Sequence, residues 1–456
     1  MKAIILAAGH GTRMRSNTQK VMHPILGKPL IKYITEACNE AGIADITIVV
    51  AKDSDDIRAA LPGCKYATQI IQLGTGHAVQ AAVSTIEADD DVLILAGDMP
   101  LITSNFIHEF FMFYSKKNCA GAVAAVYKSN VGDFGRVYAN KDGLFESILE
   151  ARDLLPESPH TNWANTSIYL FKGASLLHGL TQLTNTNSQG EFYLTDVPKI
   201  LRDEGQAVYI FQSKEDEATF AGINTQAQLA EAARHMRNRI NLRHMENGVR
   251  IQDPATTYID DTVKIAENVV LYPGCVLEGD SKIDEGAIIG PYTHLRDTII
   301  GKFSSVRQSA LTSAKIGEKT EVGPFAHLRP GAVISNNCRV GNFVEVKNAN
   351  IDDNTKMGHL AYIGDADVGK NVNYGCGAIT VNYDGKNKYR TVIADGAFIG
   401  SNSNLVAPVE IGAEAYVAAG STITDALPAY SLGIARARQV NKENWVTLRK
   451  KKNCTD

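Results

Sequence analysis

IADGAFIGSNSNLVAPVEIGAEAYVAAGSTI, residues 393–423, decides the architecture of the back half of this chain. Ile393, Ile399, Leu405, Ile411, Val417 and Ile423 recur at a spacing of six. The same ladder runs through Ile259, Ile265, Leu271, Leu277, Ile283, Ile289 and Leu295, and again through Ile316, Val322, Leu328, Ile334, Val340 and Val346. A period of six fits neither the 3.6-residue turn of a helix nor the simple alternation of a strand. It fits short flat strands joined by tight turns, wound so that stacked aliphatic side chains fill a prism. Glycine often follows the ladder residue, as at Gly290, Gly317, Gly323, Gly341, Gly364, Gly400 and Gly412. A tight turn or a positive φ is expected there. The pattern predicts a parallel β-helix of hexapeptide repeats over residues 251–426.

Working back from the repeats, residues 226–247 set Leu229, Ala233, Met236 and Ile240 at helical spacing with charges on the other faces, and Gly248 is a stop signal. One long helix joining two domains is expected. Ahead of it, apolar runs at 3–8, 46–51, 92–96 and 121–126 alternate with amphipathic stretches at 30–41, 53–61 and 76–86. Such alternation predicts an α/β, Rossmann-like domain with a mainly parallel sheet, helices on both faces, and ligands beyond the carboxyl ends of the strands. The expected domains are 1–225, a linker helix over 226–247, and the β-helix with its tail over 248–456.

Composition sets the outer limits. With 456 residues, 44% hydrophobic and 21% charged, the chain has material for two or three separate cores. A net charge of −4 gives no reason to expect nucleic acid or a membrane surface as partner. The opening apolar run breaks at Gly9, too soon for a signal peptide, and no stretch approaches the ~20 apolar residues of a membrane span. Cys38, Cys64, Cys119, Cys275, Cys338, Cys376 and Cys454 follow no metal-ligand spacing. They read as reduced thiols, mostly in cores, and a cytoplasmic location is expected. The run Arg449-Lys450-Lys451-Lys452 reads as a solvated terminus.

Directly after the first strand stands Leu6-Ala7-Ala8-Gly9-His10-Gly11-Thr12-Arg13-Met14, with Lys20 six residues on. A glycine-rich turn in that place offers backbone N–H groups to phosphate oxygens. A dinucleotide fingerprint wants a third glycine where Met14 stands, and a P-loop wants Gly-Lys-Ser/Thr. The loop of sugar-nucleotide pyrophosphorylases is the one it resembles throughout. Gln69 precedes Leu73-Gly74-Thr75-Gly76-His77-Ala78, a helix-opening turn suited to a base edge. Asp98 lies just beyond a buried strand. It reads as a turn former or, beside a phosphate loop, as an oxygen ligand for Mg²⁺.

Over essentially its full length the chain resembles the bacterial family that joins N-acetylglucosamine-1-phosphate uridyltransferase and glucosamine-1-phosphate N-acetyltransferase activities, supplying UDP-N-acetylglucosamine for cell-wall and lipopolysaccharide synthesis. The resemblance implies that Leu6, Ala7, Ala8, Gly9, Lys20, Gln69, Gly74 and Thr75 hold the nucleotide. It implies that Gly135, Glu150, Asn165 and Asn224 face the sugar phosphate, that Tyr193 and Thr195 line the same pocket, and that Asp98 and Asn224 share Mg²⁺. The sugar phosphate then attacks the α-phosphorus of UTP in line, with Arg13 and Lys20 neutralising phosphate charge. His10 and Ala96 stand where the family often has other residues.

The back site is read off the ladder. Arg329 and Lys347 are 18 residues apart, about one turn of a three-sided coil. His359, Tyr362, Asn373 and Lys388 follow within a few coils, and the polar stretch 382–388 interrupts the hexads where a loop projects. His359 alone reads as a surface histidine on a coil corner. With these neighbours, the cations suit a sugar phosphate and the imidazole suits removal of a proton from its amine. The resemblance implies the same roles: His359 as base, with Arg329, Lys347, Tyr362, Asn373 and Lys388 on glucosamine 1-phosphate. It further assigns acetyl-CoA, as co-substrate, to Ser401, Ala419 and Arg436, with Asn382, Tyr383 and the Cys376 backbone. It implies a left-handed β-helix and a homotrimer whose acetyl sites lie between neighbouring prisms. Two alternatives stand beside this one: a nucleotidyltransferase whose β-helix only oligomerises or regulates, and a non-enzymatic scaffold. The first has no need of His359 with Lys388, the second none of Arg13, Lys20 and Asp98 together.

Overall fold

The computed structural model describes residues 1–9 and 11–452, with side chains as far as Lys450. His10 and Cys454 lie outside the described residues. The chain divides into two compact units, Met1–Arg239 and one beginning at Ile240. The division therefore falls inside a continuous helix, Gln226–Glu246, whose end is marked by Gly248 at φ 85.

In the first unit seven strands lie in the order Val208–Ser213, Gly121–Tyr127, Trp163–Lys172, Asp91–Ala96, Lys2–Leu6, Ile46–Val50, Lys65–Thr68. All pair in parallel except Trp163–Lys172, which runs against both its neighbours. The hairpin Arg136–Ala139 and Phe145–Leu149 joins the edge of that antiparallel strand. Successive side chains of the first strand enter opposite cores, as the pleat requires. Ala3 and Ile5 pack with Ile31, Ile34, Phe106 and Phe110, while Ile4 packs with Val79, Leu176, Leu180 and Leu201. Helices thus cover both faces. The stretch 76–86 is not one helix: Thr75–Ala81 ends, and Val83–Thr85, three poor helix formers, makes a separate 3₁₀ turn.

In the second unit the ladder holds, and its gaps are explained. Ile259 pairs with Leu277 and Leu277 with Leu295, each 18 residues on. Leu295 pairs with Leu311, and Ile300 with Ile316, only 16 residues on. Shortened repeats carry the buried column through Ile300, Val306 and Leu311, so the sequence ladders are one column whose period slips. One coil is long. Val368 pairs with Ile393, Tyr374 with Ile399 and Thr380 with Leu405, each 25 residues on, and the excess is the polar loop after Val381. The glycines after the ladder residues serve close approach more than positive φ. A Cβ on Gly341 would stand 1.8 Å from the Gly358 carbonyl oxygen of the next coil; of the seven only Gly323, at φ 98, is left-handed. Elsewhere the left-handed turn positions are taken by residues such as Asn354, Asp365 and Phe343.

Cys38, Cys119, Cys275 and Cys338 are buried, Cys64 is half-buried and Cys376 exposed, all of them free. Among the described residues no helix is long and apolar enough to cross a membrane. His244, near the end of the long helix, is buried with its Nε2 unpartnered, and burial pushes its imidazole from 6.5 down to about 4. The unfolded chain then binds the proton that the folded one refuses. Thermal stability of the second unit should hold above pH 6.5 and fall as pH drops towards 4. His244→Leu should flatten that slope in melting curves across this range; an unchanged slope would clear His244 of the effect.

Candidate functional site

Two groups of functional side chains assemble, one in each unit. The first lies at the carboxyl ends of the central strands. Ala7 N–H donates to the Val49 carbonyl, Gly97 N–H to Leu6, and Gln69 N–H to Val50, which draws the loop after Leu6 beside Gln69 and Asp98. Gly11 sits at φ 60, and a Cβ there would meet Lys20 Cβ at 2.6 Å, so the loop closes directly on the lysine. Lys20 Nζ lies 2.5 Å from Asp98 Oδ2 and 3.1 Å from Asn224 Oδ1; Arg13 donates to that same Oδ1 at 2.9 Å. Two hard oxygens thus converge on one cation position, and a Cβ on Gly222 would stand 3.6 Å from the Asp98 carboxylate. That donor set fits Mg²⁺ completed by phosphate oxygens and water, since Mg²⁺ commonly takes only one or two carboxylates from protein. Among the described residues no cluster of three His, Cys, Asp or Glu offers an all-protein alternative.

The base-side wall is fixed by backbone. Gly76 N–H donates to the Phe192 carbonyl and Phe192 N–H to Leu73, so the 73–76 turn is clamped to the segment carrying Tyr193 and Thr195. Gly74, at φ 110, leaves 2.5 Å between an imagined Cβ and Phe192 O. Gln69 is buried, with its Nε2 directed to the Gly74 carbonyl at 3.2 Å and to His77 Nδ1 at 3.0 Å. Its amide oxygen is left to accept. Thr75 Oγ1 accepts from Leu194 N–H, and Tyr193 Oη accepts from Gln189. On the sugar side a Cβ at Gly135 would meet Glu150 Oε1 at 3.4 Å and Asn165 Cβ at 3.5 Å, so these three adjoin. Asn165 is buried in a bulge of its strand, donating to Tyr169 Oη at 2.8 Å. Burial raises the Glu150 carboxyl above its ordinary range, and a hydrogen bond with Thr195 offsets this only in part.

In the second unit one corner of the prism carries a column. His359 pairs with Asn342, Gly377 N–H donates to Leu360 O at 2.6 Å, Asn402 N–H to Cys376 O and Gly420 N–H to Ser401 O, each at 2.8 Å. His359, Cys376, Ser401 and Ala419 therefore occupy successive coils, and a Cβ at Gly420 would approach Arg436 Cδ at 3.9 Å. Three residues past His359, around the left-handed corner at Leu360, the same strand presents Tyr362 opposite Glu345. Here the cations gather. Arg329 pairs with Glu345 at 2.9 Å and Lys347 with Asp365 at 3.2 Å. The Lys347 and Lys388 side chains adjoin, and their mutual contact holds Lys347 above the ordinary lysine range and pushes Lys388 below it. Asn373 is exposed one coil beyond Lys356, on the neighbouring face.

Asn382 stands apart from the Cys376 column: it is buried, with its amide on Asp365 Oδ2 at 2.5 Å, among the cations. Tyr383 is exposed in the loop and donates to the Gly385 carbonyl. Glu345, Asn348 and Asp365 escaped the sequence reading because an acid or amide beside a hexad ladder looks like any solvated prism face. Their one legible signal was the spacing Arg329, Lys347, Asp365, eighteen residues each.

Residues 3–187 match the MobA-like NTP transferase domain, and 313–348 and 390–425 match bacterial transferase hexapeptide repeats. Bifunctional protein GlmU of Thermoanaerobacter pseudethanolicus is 47% identical over 451 residues, 98% of each chain. Bifunctional protein GlmU of Geobacillus sp. is 45% identical over 97% of each chain, and that of Clostridioides difficile 43% identical over 99% of this chain and 98% of its own. This chain belongs to the bifunctional GlmU family. It is a transferase with two activities, uridylyl transfer in the nucleotidyltransferase unit and acetyl transfer in the hexapeptide unit. Membership in this bifunctional family removes both alternatives, the nucleotidyltransferase whose β-helix only oligomerises or regulates and the non-enzymatic scaffold.

Proposed function

We propose that the second unit acetylates glucosamine 1-phosphate with acetyl-CoA, and that the first then transfers UMP from UTP to the N-acetylglucosamine 1-phosphate formed, releasing pyrophosphate. The observation that carries this reading is the pairing, in one chain, of an imidazole column at His359 with the Arg329–Lys347–Lys388 cations around the corner. A base beside a phosphate-sized group of cations suits an amino sugar phosphate better than a neutral acceptor.

In acetyl transfer, Arg329, Lys347 and Lys388 hold the phosphate with Tyr362 and Asn373 on the sugar. His359 takes a proton from the ammonium form of the amine, the nitrogen lone pair so freed attacks the thioester carbonyl, and the second amine proton passes to the departing CoA thiolate, which leaves as the thiol. The Cys376–Ser401–Ala419–Arg436 column suits an extended acetyl-CoA, through backbone at Cys376 and the guanidinium at Arg436, with Tyr383 at the loop. Asn382 acts from the sugar-phosphate side. In uridylyl transfer, the loop of Leu6, Ala7, Ala8 and Gly9 with Gly74 and Thr75 orients UTP, and Gln69 offers its oxygen to the N3–H of uracil. Gly135, Glu150, Asn165, Tyr193 and Thr195 line the sugar. The phosphate oxygen attacks the α-phosphorus in line, and no residue becomes covalently attached. Asp98 and Asn224 would hold Mg²⁺, which when bound would supply charge neutralisation. Arg13 and Lys20 draw charge from the phosphates as the bond to pyrophosphate lengthens.

A homotrimer fits the exposed apolar corner of Phe325, Phe343 and Leu360 beside the His359 column, and free thiols suit the cytoplasm. A fragment of residues 1–239 should keep uridylyl turnover within severalfold of the full chain while lacking acetyl transfer. A folded fragment without uridylyl activity would tie the first site to the second unit and defeat the two-machine reading.

A further inference from the structure

Asp365 belongs to no ligand set assigned above, yet both roots of the one long coil converge on it. Its residue is 7% exposed and sits at φ 49, a left-handed turn that aspartate tolerates. The carboxylate takes three donors: Lys347 Nζ at 3.2 Å, Asn348 Nδ2 at 2.6 Å and Asn382 Nδ2 at 2.5 Å. Asn382 opens the inserted loop. At the closing end Thr391 N–H donates to the Asp365 carbonyl at 3.1 Å, and Arg390 grips Asp367, two residues on. The loop is drawn shut by Tyr389 N–H on Asn382 O and by the bridge between Tyr383 and Lys388.

We propose that Asp365 is the positioning residue of the acetyl-transfer site, pinning the loop that carries Lys388 and holding Lys347 against it so that two ammonium groups meet one substrate phosphate. This rests on the assignment of Lys347 and Lys388 to glucosamine 1-phosphate. Two ammonium groups in contact repel one another, and without a counter-charge one sheds its proton or swings away. Asp365 supplies that charge from beneath. Burial alone would raise its carboxyl, but the Asn348 and Asn382 amides and the Lys347 ammonium hold it below the usual carboxylate range. It therefore stays ionised wherever the enzyme works. The other charged and titratable groups around it are Lys388 and Arg390, with Tyr362 on its own coil, Glu345 one coil back and Arg329 two coils back.

The test is steady-state acetyl transfer by the full chain between pH 6.5 and 9.5, varying each substrate separately, for Asp365→Asn and Asp365→Glu. Asp365→Asn should raise KM for glucosamine 1-phosphate about tenfold, leave KM for acetyl-CoA within twofold, and move the alkaline rise in that sugar-phosphate KM about one pH unit lower. The downward sign follows from losing the carboxylate that favours both charged lysines. Asp365→Glu should recover part of the affinity and return the pH profile towards that of the unaltered chain. Should Asp365→Asn not fold, Asn348→Gly, which withdraws one donor at an exposed turn of φ 45, must show the same selective rise in smaller measure. An unchanged sugar-phosphate KM, or both KM values rising together without a pH shift, would overturn the proposal. Lys347→Ala and Lys388→Ala separate the two levels: if neither alters sugar-phosphate KM, the site assignment itself is at fault.

Discussion

Replacing His359 by alanine is expected to reduce acetyl transfer ~10²-fold or more, the usual scale for removing a positioned base, while uridylyl transfer stays within twofold. Arg329, Lys347 and Lys388 all remain in the variant, so KM for glucosamine 1-phosphate should change far less than kcat. The loss should shrink at alkaline pH, where the amine is already free of its proton. Coupled assays of CoA release and pyrophosphate release on one preparation check both halves. Retained acetylation would assign the base elsewhere, and parallel loss of uridylyl transfer would contradict the separateness of the sites.

Lys20→Ala and Asp98→Asn should each cost ~10²-fold or more in uridylyl kcat, because the first removes a cation aimed at the phosphates in the transition state and the second the anionic oxygen that would hold Mg²⁺. They differ in one respect. Lys20 lies between Asp98 Oδ2 and Asn224 Oδ1, so its removal leaves both oxygens, and raised Mg²⁺ should recover little of the loss. Asp98→Asn removes the anionic oxygen, so its activity should climb with Mg²⁺ concentration. A Mg²⁺ titration of pyrophosphate release distinguishes them. Equal insensitivity of both variants would remove Asp98 from metal binding, and normal turnover by Lys20→Ala would remove Lys20 from the site.

The β-helix was legible because its constraint is one-dimensional: each buried ladder residue, such as Ile259, Leu277 or Ile411, stacks on its equivalent one coil away. Where the coil shortens around Leu295 to Ile316, the column survives but the period does not, which is why the ladder looked broken there. Strand direction was not legible. Nothing in the pattern of Trp163–Lys172 records that it runs against both its neighbours. The front site was readable from the loop through Gly9, Gly11 and Arg13 with Lys20, since phosphate cradles need glycine and cations at short range. The role of Asn224 as the oxygen shared by Arg13 and Lys20, 211 and 204 residues away, rests on the fold alone. In the back site the cations drew notice and their counter-ions did not. Glu345 and Asp365 gain meaning only when the coils bring Arg329 and Lys347 onto them.

The most direct test of two independent sites on one chain is complementation between single-site variants. Asp98→Asn and His359→Ala proteins are assayed alone and mixed, with glucosamine 1-phosphate, acetyl-CoA, UTP and limiting Mg²⁺, and UDP-N-acetylglucosamine is measured by chromatography. Each variant alone should form product at a small fraction of the unaltered rate. The mixture should restore synthesis to the same order as the unaltered chain, because one variant acetylates and the other uridylylates the released intermediate. A mixture no better than its components, with both proteins folded, would contradict the account.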